Sequence, residues 1–99
     1  MRDENKVTVR GRLAFDSEFH EDPKRTHFAV LTNIPFSSKN GDAGRETTLH
    51  RVIAWNEDLS ALKKGDSVKL TGMVTLREND RGELVYRVIL DEITRTHEV

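Results

Sequence analysis

The sequence predicts an all-β chain in which five strands wind into a Greek-key barrel, with one short helix between the third and fourth strands. Three observations carry that prediction. Apolar and polar residues alternate with a period of two over 6–14, 26–33, 47–55 and 67–77, and a fifth, more apolar run covers 84–93. Only 56–65 has a helix start signal, an apolar pair at turn spacing and a glycine stop. Asn79-Asp80-Arg81-Gly82 marks a tight hairpin between the last two strands.

In the first strand Val7, Val9, Gly11 and Leu13 share one face, and Lys6, Thr8, Arg10 and Arg12 the other. Gly11 within the apolar series predicts a bend or a close backbone approach. Residues 15–23 form an acidic connection tacked to the core by Phe15 and Phe19. The second strand turns Phe28 and Val30 inward and His27, Leu31 and Asn33 outward, and Pro35 either stops its ladder or confines it to a sheet edge. Residues 37–46 are polar, carry Gly41 and Gly44, and predict an exposed, mobile loop.

The third strand points Leu49, Arg51, Ile53 and Trp55 one way and His50, Val52 and Ala54 the other. Asn56 then offers an N-cap, Leu59 and Leu62 a buried stripe, Lys63 and Lys64 a match to the C-terminal dipole, and Gly65 an end. The fourth strand turns Val68, Leu70, Gly72, Val74 and Leu76 inward and Lys69, Thr71, Met73, Thr75 and Arg77 outward. The last strand is apolar enough to predict cover on both faces, and 94–99 shows no evident structure. Five strands with a helix after the third is the order of the OB-fold.

Ninety-nine residues make one domain, 1–99, with disordered or extended ends at about 1–4 and 95–99. Sixteen basic residues against seventeen acidic ones give a net charge of −1, so any anion site must come from local patterning. Cysteine is absent, which excludes thiolate chemistry and cysteine zinc sites. No apolar run approaches a membrane span and the N-terminus is not a signal peptide, so a cytoplasmic, nucleoid-associated location is expected. His20, Glu21, Asp22 and His27 have no metal-ligand spacing, and no metal or cofactor is expected. Without a nucleophile–base pairing or a phosphate-cradling glycine motif, neither is catalysis.

The residues Asn5-Lys6-Val7, Gly11-Arg12-Leu13 and Phe28-Ala29-Val30-Leu31-Thr32-Asn33 resemble the first two strands of bacterial single-stranded DNA-binding proteins. Leu49-His50-Arg51-Val52-Ile53-Ala54-Trp55, the Lys63-Lys64-Gly65 turn and Gly72 extend the resemblance over nearly the whole chain. Primosomal replication protein N (PriB) shares this barrel and is a close relative of the same pattern. The resemblance implies base-stacking aromatics at four places. Phe36 and Trp55 match two of them. Leu49 stands where the family usually has tryptophan, and the last hairpin offers Glu78, Asn79 and Asp80 instead of an aromatic. The resemblance further implies that Lys39 and Arg45 lie in a loop that wraps the strand, and that His50 lies at a subunit contact. The family's acidic C-terminal tail has no counterpart in these residues.

Several side chains keep two readings. Trp55 is a base platform or a ring closing the barrel end, and Arg51 meets a phosphate or a neighbouring carboxylate. Arg10, Arg12, Lys69 and Arg77 form one basic band for a nucleic-acid backbone, or a solvated, ion-paired sheet face. His50 is an interface residue or a satisfied core histidine. The expected function is binding of single-stranded DNA without sequence preference, in replication, repair or recombination, by a homodimer or homotetramer. RNA is a further possible ligand. The alternative is a PriB-like protein-interaction module contacting replication or repair proteins.

Overall fold

The computed structural model describes residues 2–96. Six strands follow in order: β1 (Val7–Leu13), β2 (Glu18–Glu21), β3 (Lys24–Ser37), β4 (Ala43–Trp55), β5 (Ser67–Glu78) and β6 (Leu84–Arg95). Their order in the sheet is β1-β5-β6-β4-β3-β2, and β1 also pairs with β3, so five of them close on themselves. Only β4 and β6 run parallel, through Val52↔Val88 and Ile53↔Ile89. This is the Greek-key OB barrel that the strand pattern predicts.

The core follows from the alternation. Val9, Leu13, Phe28, Val30, Val52, Ala54, Val68, Leu70 and Val88 meet in one buried cluster, which Leu62 closes at one end. Two glycines let the barrel curl. A Cβ at Gly11 would collide with the Leu31 carbonyl and a Val30 methyl, and one at Gly72 with the Ile89 carbonyl and a Val88 methyl. Gly72 sits at the β-bulge where β5 shifts register against β6.

Four expectations need correction. No helix forms between β4 and β5; residues 56–66 are linked turns. Two helical turns are marginal alone, and here side chains from the barrel take the backbone groups that a helix would have used. The Thr26 hydroxyl, fully buried, donates to the Glu57 carbonyl (2.7 Å) and accepts from the Leu59 amide (3.0 Å). The Ser17 hydroxyl serves the Leu59 and Leu62 carbonyls, and Asp16 accepts from the Lys64 amide. Leu62 is still buried as the pattern required, because packing rather than helix geometry places it.

The acidic connection contributes a strand of its own, β2, which pairs with β3 from Glu18↔His27 to Glu21↔Lys24. Half of the polar stretch 37–46 is ladder. β3 and β4 stay paired to Ser37↔Ala43, leaving only 38–42 as the turn, which is tied by the Ser38 amide donating to the Asp42 carbonyl. Pro35 is accommodated on the outer edge of this ribbon, since β1 pairs with β3 only at Leu31 and Val30. β6 is covered only near Val88, with Leu84 and Val85 exposed, and it extends to Arg95 where no structure was expected. At the other end Asn5 is pinned by a reciprocal pair of hydrogen bonds with the Val74 backbone. Residues 97–99 lie outside the described part. No helix among the described residues is long and apolar enough to cross a membrane.

Candidate nucleic-acid interface

Strand alternation presents a row of outward residues on β4, and the register assigns each a neighbour on β3: Arg51 faces Ala29, Ile53 faces His27 and Trp55 faces Arg25. On the other side of β4, β6 contributes Val85 and Arg87, and β5 places Arg77 opposite Val85 and Thr75 opposite Arg87. Together these strands floor a groove of about 470 Å³ that Phe15, His20 and His27 help to enclose. Three guanidiniums (Arg51, Arg77, Arg87) line it, against one carboxylate, Glu18. A protein with a net charge of −1 has concentrated positive charge at this place.

A second groove, about 690 Å³, lies between β1 and the β3–β4 ribbon, with Arg10, Arg12 and Arg45 on its walls. Between the two grooves Leu31 and Leu49 face each other in register, and are 40 % and 39 % exposed. The outer surface thus reads as arginine groove, apolar saddle, arginine groove.

The expected basic band therefore divides. Arg10 lies opposite Lys69, and Arg12 opposite Leu31, so these cations flank the second groove. Arg77 belongs to the first groove with Arg51. The Trp55 ring is 42 % exposed and lies outside the core cluster, which removes the reading as a core ring. Phe36 is exposed but sits on the opposite face of the ribbon from Leu31 and Leu49, its ring lying over the missing side chain of Gly44. The structure does not bring Phe36 to Trp55. Lys39 is exposed in the turn at the ribbon tip.

His50 faces inward at the barrel mouth. Its Nε2 lies 2.9 Å from the Thr32 hydroxyl and its Nδ1 3.2 Å from the Tyr86 hydroxyl, so the ring is satisfied within the chain. Burial holds its pKa below the usual histidine value. A histidine depressed in the fold binds protons more readily when unfolded. Its stabilisation is complete above the unfolded value of about 6.5 and is lost as pH falls through the folded one. His27 shifts in the same direction. The urea midpoint should accordingly decline from pH 7.5 to pH 5, and decline less steeply in His50→Gln. Equal slopes in the two proteins would contradict this assignment.

Arg87, Phe15, Glu18 and His20 are groove residues that the sequence pattern did not single out. For Arg87 a signal existed: in Val85-Tyr86-Arg87-Val88 an arginine alternates with the inward residues, which is incompatible with a strand covered on both faces. For Phe15 and His20 there was none, because the path of the acidic connection over the barrel decides their place.

Comparison with known proteins agrees with the geometry. The family model of the Single-strand binding protein family matches residues 4–96. The chain is 30 % identical over 92 residues to Single-stranded DNA-binding protein 1 of Chlorobaculum tepidum, an alignment covering 83 % of this chain and 57 % of that protein. The chain thus spans little more than half of that relative's length. A Plasmodium falciparum SSB in complex with single-stranded DNA superposes with a TM-score of 0.83 at 19 % identity, covering 98 % of both chains. A deletion variant of the single-stranded DNA-binding protein of Thermus aquaticus gives 0.83 at 18 % identity, covering 95 % of this chain and 51 % of that one. These two likenesses concern the fold. Strand order, grooves and family match converge: the chain belongs to the single-strand binding protein family.

Proposed function

We propose that the chain binds single-stranded DNA without sequence preference, in replication, repair or recombination, along the outer face of β1, β3, β4, β5 and β6. The observation that carries this reading is the continuous track of two arginine-lined grooves joined by Leu31 and Leu49, with Trp55 exposed beyond one end. OB-folds use this sheet face and the neighbouring loops for oligonucleotides. Backbone phosphates meet Arg10, Arg12, Arg45, Arg51, Lys69 and Arg77; Trp55 stacks on a base, and Leu49 supplies apolar contact. Lys39 reaches the strand from the ribbon tip.

With Trp55 as the one ring assigned to stacking, that term contributes only about 1–3 kcal/mol, so charge supplies most of the affinity. Six phosphate contacts on a single strand correspond to a slope of about −4 in log K against log salt. Titration with oligo(dT) should quench the single tryptophan, and the affinity should fall with salt at about that slope. Unquenched fluorescence together with no binding in a direct assay at low salt would overturn the reading.

A second surface supports self-association or partner contact. Ile34 and Phe36 on the β3–β4 ribbon, and Leu76 and Leu84 on the β5–β6 hairpin, are half or more exposed on faces that continue the inward side of the barrel. A homodimer or homotetramer that covers these faces, with His50 at their base, would leave the first arginine groove open and border the second, which Ile34 also lines. Replication or repair proteins are the other occupants of such a surface. Sedimentation equilibrium distinguishes a monomer from these assemblies.

A further inference from the structure

Arg87 differs from the other cations of its groove. Its Nε is buried without a hydrogen-bond partner, and so is the hydroxyl of Thr75, the residue directly opposite it on β5. Buried donors in folded proteins are almost always satisfied, and an exception calls for an acceptor. The groove's one carboxylate, Glu18, lies across β3 and faces His27 instead.

His27 lines the same groove and is itself poised for a proton. Glu18 and His20 face it from β2, the His20 ring meeting it edge-on at 5.5 Å; Arg25 flanks it on β3, and Arg87 acts on it from β6. On β4 its register partner is the apolar Ile53, with Arg51 the nearest charge on that face. Burial first, then Arg25 and His20, hold the imidazole below its usual value, against the pull of Glu18. The balance around His27 therefore favours the neutral ring while the groove is empty of anions.

We propose that Arg87 and His27 form a phosphodiester subsite on the groove floor, which a single strand fills together with one proton. This rests on the single-stranded DNA reading given above and deepens it. A phosphodiester brings the acceptor oxygens that the Arg87 guanidinium lacks, in the geometry that guanidinium recognises. Its negative charge also reverses the local field at His27, favouring the imidazolium. The proton comes from solvent and goes to the imidazole nitrogen, and no other bond changes. The sign follows from linkage. His27 has a higher pKa in the complex than in the free protein, so affinity is greatest below the free value and is lost as pH rises through the complexed one. Each unit of difference is worth tenfold in affinity.

The test is direct binding of oligo(dT), whose bases do not titrate in this range, to the full chain at pH 5.5 and pH 8 over a salt series. The wild type should bind more tightly at the lower pH by about tenfold. Arg87→Gln should weaken binding and reduce the salt slope by about 0.7, while Arg87→Lys retains the slope. His27→Gln should bind like the wild type at pH 8 and lose the gain at pH 5.5. Isothermal titration in buffers of different ionisation enthalpy should show proton uptake in the wild type and a loss of it in His27→Gln. Tight wild-type binding with no proton uptake, or an unchanged slope in folded Arg87→Gln, would overturn the subsite and leave DNA binding standing. Absence of wild-type binding at low salt would overturn both.

Discussion

Arg51→Glu should weaken oligo(dT) binding by about 100-fold at moderate salt, the largest loss expected from any single change on the outer face. Arg51 projects from the middle of β4 across the small side chain of Ala29, into the groove that Arg77 and Arg87 share. On the proposed path, removing its charge deletes one phosphate contact, and reversing it places a carboxylate where the strand's own negative charge would pass. The fold should tolerate the change, since the new carboxylate sits among guanidiniums and Arg51 is exposed. The check is a fluorescence titration beside a melting curve, with Arg51→Ala expected to lose about tenfold. A melting temperature near wild type with unchanged affinity would show that the strand does not cross β4.

Gly72→Val should have the largest effect on the fold. Gly72 is buried at the β5 bulge, where an added Cβ meets a backbone carbonyl and a core methyl, Ile89 and Val88. The carbonyl belongs to the β5–β6 ladder and cannot turn aside without breaking it. Overpacking of this kind costs about 3 kcal/mol, which for a domain of this size lowers Tm by roughly 12–24 °C. Gly72→Ala should fall between the two proteins. Thermal denaturation followed by circular dichroism measures both, and a valine variant melting within a few degrees of wild type would contradict the close approach.

The barrel was legible because its strands are half-buried. Val7 to Leu13 and Val68 to Leu76 alternate so regularly that face and curl follow from the pattern. Residues 56–65 predict a helix because Asn56, Leu59, Leu62 and Gly65 supply its start, stripe and stop. What decided otherwise was distant in sequence: the hydroxyls of Ser17 and Thr26 capture the backbone groups of Glu57, Leu59 and Leu62. The ribbon beyond Asn33 is hidden by Pro35 and by the polar run 37–46, although Ile34 and Phe36 continue the alternation on the inward side. Arg51 and Trp55 could be found because alternation orients them. The split of the basic residues into two grooves could not, because it depends on which strands become neighbours when β1 closes onto β3.

The junction between β4 and β6 has one more implication. The ladders of β3 with β4 and of β5 with β6 run almost the length of the strands, whereas β4 and β6 meet in register only at Val52↔Val88 and Ile53↔Ile89. The first groove straddles this junction, with Arg51 on one bank and Val85 and Arg87 on the other. Its banks belong to two long ladders, which meet at this short junction and again where β1 pairs with β3. In the proposed binding mode a wide purine and a narrow pyrimidine demand different gaps, and two short seams would let the banks adjust with little bending of either ladder. The proposed indifference to base identity would then be a matter of mechanical compliance, set by the few bonds of two seams.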